Sequence, residues 1–358
     1  MNRQYSRGKR NSDMTQPGHC RGSALVLALL VAGLVAVLAV QFAQAFVLQA
    51  NRTENALMQA RFTAYLHGAE TLASDVLARD GVDSPTDTLN EAWAMQVPRF
   101  PTDDGWLEVQ LVDAQGLYNI NNLSVKSAYH DDLSAPPAQR FSEMQKQFIR
   151  LLQSFVDYPH SETEAIEITE AIIDWLDDDD QPTGAGGAES LFYSAEPVPV
   201  NAANQFVSDA SELVLVRHMN AALWARLRPL VTALPAVTAF NINTAAPDLL
   251  SMINAAQSLQ PLPAQTISAL TLHRAQASFS DTAGLATVPI LEGIGADITL
   301  TENNVGSDEP AQSPPYGVAS QYFIVYASAT IGQRTRYMRA LLFRDENGVR
   351  TLSRNYGL

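Results

Sequence analysis

From Ser23 to Val40 the chain reads SALVLALLVAGLVAVLAV, an uncharged run that stays weakly apolar through Gln41 and Gln44 until Arg52. A helix needs roughly 20 apolar residues to cross a bilayer, so the pattern predicts a transmembrane helix over 23–45. Beyond it, Phe62, Tyr65, Leu66, Ala69, Leu72, Ala73, Val76 and Leu77 recur at spacings of three and four, the stripe of an amphipathic helix. No proline interrupts residues 23–84, so an amphipathic continuation over 46–80 is expected to prolong the membrane helix.

The pattern then changes period. Leu107–Leu111 alternates as a half-buried strand should, Ala114-Gln115-Gly116 reads as a turn, and Leu117–Ile120 is expected to pair back as a second short strand. Near the C-terminus, 322–331 and 334–343 are rich in aromatic and β-branched residues around a Gly332-Gln333 turn, and a third strand is expected after Gly348. Between these regions the periodicity is helical over 141–158, 162–176, 208–216, 220–227, 247–255 and 264–275, and 302–318 reads as a loop. The fold class expected is α+β: a long N-terminal transmembrane helix packed on a small antiparallel sheet, with a large α-helical domain inserted between the strands. The divisions are a leader 1–22, the helix 23–45 and 46–80, first strands 81–125, helical insertion 126–305 and closing strands 306–358.

Charge orients this arrangement. Residues 1–22 carry Arg3, Arg7, Lys9, Arg10 and Arg21 against Asp13, which leaves −19 on the remainder of a chain whose net charge is −15. Basic residues before the apolar run hold that end in the cytoplasm, so the acidic body is exported. An acidic body disfavours nucleic acid, whose binding requires clustered Lys and Arg. The single cysteine, Cys20, precedes the apolar run, which excludes an internal disulfide and does not suit a lipid attachment site. Three readings of the N-terminus compete: a secretory signal cut after Ala43-Gln44-Ala45, an uncut signal anchor, and a prepilin-type signal cut between Gly22 and Ser23. Arg21-Gly22 directly abutting the apolar run favours the third.

Several stretches resemble the K-type minor pseudopilin of type II secretion (general secretion pathway protein K). They are Arg21-Gly22 before the apolar run, Asp113–Leu123 (DAQGLYNINNL), Ile173–Pro182 (IDWLDDDDQP), Gly187-Ala-Glu189 with Tyr193, Ala202-Ala-Asn204 before Ser211-Glu-Leu213, and Phe240–Ala245 (FNINTA). The resemblance implies an inner-membrane, single-pass subunit with a periplasmic head, cut by prepilin peptidase. It further implies a place at the tip of the major pseudopilin filament, bound to the I-type and J-type minor pseudopilins. Most pilin-like subunits carry Glu at the fifth residue after the cut, whereas this chain has Leu27. An unpaired carboxylate in a bilayer costs about 2.5–3.5 kcal/mol on insertion scales. A tip subunit has no neighbour above it to pair that charge, so Leu27 fits the tip, although a leucine is also an ordinary membrane residue.

Asp174, Asp177, Asp178, Asp179, Asp180 and Glu189 form the densest acidic group. Calcium takes several hard oxygen ligands, and Asp177, Asp179 and Gln181 stand at alternate places of a turning loop that Glu189 could close across Gly184–Gly187. Pro182 and Ala188 stand where an EF-hand requires Gly and Glu, so this is not an EF-hand, and such a run is often only a solvated surface. The resemblance adds that related proteins use calcium in this domain; the ligands expected are Asp177, Asp179, Asp180 and Glu189, in a structural role. Asp174 instead suits the end of a helix beside Trp175.

No catalytic residues are expected, since no G-x-S-x-G, H-E-x-x-H, Walker A loop or cysteine pair occurs. A signal-anchored periplasmic hydrolase and a membrane-anchored helix-hairpin-helix DNA receptor are the alternatives. The second rests on Phe240–Ala245, but Gly293-Ile-Gly295 lies some fifty residues on and is followed by Asp297 rather than a basic residue. The Asn-Ile-Asn-Thr text is read as capping a helix before Pro247.

Overall fold

The computed structural model describes residues 21–291, 294 and 314–357. Residues 1–20 of the expected leader 1–22, Cys20 among them, the residues Gly293, Gly295 and Asp297, and 302–313 of the expected loop lie outside the described residues. The chain divides into two compact units, one up to Arg61 and one from Phe62 onward, hereafter the head. Among the described residues the helices are α1 (Arg21–Asp83), which runs through both units, and α2 (Pro137–Arg140), α3 (Glu143–Gln153), α4 (Glu162–Leu176), α5 (Ser190–Ser194), α6 (Ala221–Leu227) and α7 (Ala264–Gln276) in the head. Its strands are β1 (Phe100–Thr102), β2 (Gly105–Asp113), β3 (Tyr118–Asn119), β4 (Val231–Thr232), β5 (Phe240–Asn241), β6 (Tyr316–Gly317), β7 (Tyr322–Ile331), β8 (Arg334–Asp345) and β9 (Gly348–Tyr356).

In the first unit, α1 exposes the apolar side chains from Leu25 to Leu48, and among the described residues it is the helix long and apolar enough to cross a membrane. Within the head, its later turns bury Phe62, Leu66, Ala69, Ala73 and Leu77, the stripe read from the sequence; Leu72 falls off that face and is exposed.

The main sheet is antiparallel, in the order β1-β2-β7-β8-β9. Alternate residues Phe323, Val325 and Ala327 of β7 pair with Leu342, Ala340 and Met338 of β8 and are buried with them on one face. Ion pairs fasten the end of α1 to the sheet. Glu70 receives Arg354 through Nε at 2.7 Å and Nη2 at 2.6 Å, and Arg344 reaches Asp80 at 2.9 Å and Asp87 at 2.6 Å. The other face of the sheet is partly covered by Leu234 and Ala236, which pack with Ala114, Tyr322 and Ile324.

The chain leaves the sheet at the end of β2 and returns at β7, and the helical region lies between. One expected strand pairing is corrected. Tyr118–Asn119 does not return to β2 but runs parallel to Val231–Thr232. Ala114–Gly116 is a 3-10 turn, its Gln115 N–H donating 2.8 Å to the Asp113 carboxylate, and it turns the chain out of the sheet. The asparagines that follow are buried and bond backbone carbonyls: Asn119 to Ala236 (2.8 Å), Asn121 to Leu234 (2.8 Å) and Asn122 to Thr238 (2.8 Å). Alternation had suggested a hairpin, but these amides cross-link a loop.

Helix ends are set by caps. Ser142 with Gln145, and Ser161 with Glu164, form reciprocal capping boxes that start α3 and α4, so the helix expected from 141 to 158 is shorter. The helices expected over 208–216 and 247–255 are 3-10 turns, Ala210–Leu215 and Pro247–Met252. The second has Ala246 at its N-cap without a side-chain bond, which corrects the capping role expected of Asn243 and Thr244. Asn243 instead exchanges two 2.9 Å bonds with Phe279, and Thr244 donates to Asp113. Residues 316–317, expected in a loop, form β6 parallel to β5.

Arg150 of α3 is buried and ties the helical region together. It donates to the carbonyls of Met252 (2.8 Å), Ala255 (3.0 Å) and Ser258 (2.8 Å) and pairs with Glu143.

Asp113 joins sheet and helical region. Its Oδ2 accepts from Asn241 Nδ2 (2.9 Å), Thr244 Oγ1 (2.5 Å) and Ser320 Oγ (2.7 Å). Burial above all pushes its pKa up to about 6, against the pull of the Thr244 and Ser320 hydroxyls. Because the folded value lies above the ordinary one, this group's stabilisation is full below about pH 4 and is lost as pH rises through about 6. Asp80 and Asp87 are shifted upward by burial as well and act in the same direction. Relative to Asp113→Asn, the wild-type head is therefore expected to lose on the order of 3 kcal/mol between pH 4 and pH 7 in urea unfolding. Parallel pH profiles for the two proteins would contradict this.

Candidate functional site

The last two turns of α4 present Glu170, Asp174 and Asp177 at spacings of four and three, hence on one face of the helix and at its C-cap. The first two carboxylates are consumed by the glycine-rich loop that follows. Glu170 accepts from Ala185 N (3.1 Å) and Gly186 N (2.9 Å) and pairs with Arg140 at 3.0 Å. Asp174, fully buried, accepts from Thr183 N at 3.0 Å, so it neither caps nor solvates the helix end as expected but clamps the loop that follows. Burial still pushes the Asp174 pKa up to about 6.

The loop needs its glycines for close approach. Gly184 has φ +59°, and a Cβ on Gly187 would collide with Asp174 Oδ2 and with the Thr183 backbone. Wrapped this tightly, the chain brings Glu189 back beside the end of α4. Oxygens of Asp177, Asp179 and Glu189 then lie within 4.8 Å of one another. Asp177 is 8% exposed and Glu189 3%, while Asp179 stands open to solvent.

The hydrogen bonding of this triangle is incomplete. Neither oxygen of Asp177 and neither oxygen of Glu189 has a hydrogen-bond partner, and the Asn204 side-chain oxygen nearby is likewise without one. Asn204 belongs to the same site: it has φ +45°, takes the Trp175 carbonyl at 3.0 Å through its backbone N–H, and donates 3.3 Å to the Asp179 carbonyl. Lys126 Nζ stands 3.1 Å from Asp177 Oδ2, near enough for an ion pair though not aligned as a hydrogen bond, and 3.4 Å from Asp179 Oδ2.

Burial pushes the Glu189 pKa up to about 7, with the charges of Asp174, Asp177, Asp179 and Asp180 adding to it. Burial also raises Asp177, against the Lys126 charge, whereas the Gln181 N–H lowers Asp179. Unbonded, desolvated carboxylates of like charge are costly unless a cation joins them. The donors are all oxygen, which suits a hard divalent ion.

Of the four ligands expected from sequence, three converge. Asp180 is exposed and outside the triangle, and it acts on Glu189 through its charge. Glu170, Lys126 and Asn204 were not foreseen. A second group, Asp80, Asp87 and Glu91, also has its oxygens within 4.8 Å, but Arg344, Ser320 N, Thr88 N and Trp93 Nε1 already bond its carboxylates. Gly22 and Ser23 are helical residues of α1, and Leu27 follows on an exposed part of it.

Known proteins resemble this chain along most of its length. The family model described as type II secretion system (T2SS), protein K, matches residues 116–236. Type II secretion system protein K of Klebsiella pneumoniae is 33% identical, over 94% of this chain and 97% of its own. The Pectobacterium carotovorum subsp. carotovorum protein of the same name is 31% identical, over 94% and 96%. Among solved structures, a chain of the GspK–GspI–GspJ complex from the enterotoxigenic Escherichia coli type 2 secretion system superposes with a TM-score of 0.66 at 25% identity, covering 86% of this chain and 99% of that one.

Proposed function

The chain belongs to the type II secretion system protein K family, and from that premise we propose how it works as a minor pseudopilin. It is inserted in the inner membrane with its basic end in the cytoplasm, cut by prepilin peptidase between Gly22 and Ser23, and assembled at the tip of a periplasmic filament. I-type and J-type minor pseudopilins are its partners there, and the major pseudopilin filament grows beneath them. Its work is assembly rather than catalysis: helix packing among the minor subunits starts the filament, which then pushes exported protein across the outer membrane.

The observation that carries this reading is the likeness to protein K relatives over almost the whole chain, apolar helix included. Leu27 supports it, since the proposed cut leaves this leucine at the fifth residue of the mature chain, in the exposed apolar part of α1. An apolar residue at that depth avoids the cost of an unpaired carboxylate, about 2.5–3.5 kcal/mol.

Calcium is proposed as a structural ion held by Asp177, Asp179 and Glu189, beside Asn204, whose side chain bonds the Asp179 carbonyl, and with the Asp180 charge outside. When bound it supplies positive charge to two buried carboxylates that no hydrogen bond satisfies. The chain's own contribution is the loop, clamped by Glu170 and Asp174, that presents Glu189 to the end of α4.

The test of the function is the N-terminal sequence of the protein isolated from membranes, with and without prepilin peptidase. Ser23 as the mature terminus, only when the peptidase is present, is expected. A terminus near Phe46, or an uncut chain in both strains, would overturn the pseudopilin reading.

A further inference from the structure

We infer that Lys126 is a built-in competitor for the divalent cation, an internal counter-ion that occupies the carboxylate site until the metal displaces it. The inference rests on the metal reading of the Asp177–Asp179–Glu189 triangle and deepens it.

The amine of Lys126 stands 3.1 Å and 3.4 Å from oxygens of two of the three carboxylates. An ammonium and a divalent ion bound through the same two oxygens repel each other, so the two cannot share them. The Lys126 side chain is 37% exposed, and Asp177 and Asp179 are its charge partners among the described residues. Its four-carbon stem lets the charged end swing into water at small cost.

Lys146, the other lysine beyond the leader, is held quite differently. Its amine donates 2.7 Å to the Ala256 carbonyl and pairs with Glu143 at 3.2 Å, all but buried. Lys126 can leave; Lys146 cannot. The device has two consequences. In the metal-free head two of the three carboxylates are compensated, so it stays folded before the ion arrives. The ion must also repay the displaced ion pair, so the site fills only where the cation is plentiful, as outside the cytoplasm.

The experiment uses the full chain in detergent. Calcium binding is measured by calorimetry for the wild type and for Lys126→Met, which keeps the apolar stem and removes the charge. Amine acylation of the wild type, located by mass spectrometry, is compared with and without calcium. Lys126→Met is expected to bind calcium roughly tenfold more tightly, the scale of one partly exposed ammonium acting on two carboxylates. Acylation of Lys126 is expected to rise on calcium addition while Lys146 stays unmodified.

Equal affinities, with Lys126 equally reactive in both states, would overturn the inference and leave the metal site standing. Failure of both chains to bind calcium would overturn the metal reading and the inference together. If Lys126→Met does not fold, the acylation of the wild type decides the question by itself.

Discussion

Replacing Arg150 with methionine is expected to destabilise the head by about 3–5 kcal/mol, the usual cost of removing one partner from a buried ion pair. The side chain is fully buried and serves three carbonyls, those of Met252, Ala255 and Ser258, besides Glu143. Methionine fills much of the volume but takes the Arg150 donor from three carbonyls and removes one charge partner of Glu143. Glu143 keeps Lys146 at 3.2 Å and the Tyr316 hydroxyl at 3.1 Å, so Glu143→Gln in the same chain is expected to recover part of the loss. Urea unfolding measures both. A loss under about 1 kcal/mol would mean that the carbonyls find other donors.

The second large effect is a reversal of order. Without a divalent cation, Asp177→Asn with Glu189→Gln is expected to be more stable than the wild type, because it removes charge from two buried carboxylates that lack hydrogen bonds. With calcium at a hundred times its dissociation constant, the wild type gains about 2.7 kcal/mol and the double variant nothing. The wild-type gain should appear as slowed amide exchange over 183–189, where the loop amides are already held by Asp174 and Glu170. Thermal unfolding of both proteins with chelator and with calcium gives the four values needed. If the wild type is the more stable in chelator, the carboxylates are satisfied in a way the unbonded oxygens do not suggest.

The parts of this molecule legible from sequence are those governed by local periodicity. An uncharged apolar run can only be a membrane or core helix, and the stripe from Phe62 to Leu77 fixes which side of α1 meets the head. The hairpin at Gly332-Gln333 and the final strand follow from β-branched runs broken at a turn. What depended on distant contacts was missed. The strand β1 is three residues, too short for any alternation, and Tyr118–Asn119 took a partner more than a hundred residues away.

At the acidic site the run of aspartates was visible but its geometry was not. Asp180 is the same residue type as Asp177, and the return of the glycine loop decides which of them meets Glu189. Glu170 had a local signal, since Glu170, Asp174 and Asp177 share one helical face among apolar residues from Ala171 to Leu176, and three buried acids on one face need partners. Lys126 had no such signal: nothing local ties it to a carboxylate some fifty residues on.

The central claim is that the chain assembles with I-type and J-type minor pseudopilins, and co-purification of the mature full-length proteins from membranes tests it most directly. The chain is tagged, co-expressed with both partners and prepilin peptidase, extracted in detergent, and the mass of the resulting particle is measured. One particle holding all three in equal number is predicted. A tagged chain recovered by itself while the other two associate without it would contradict the account.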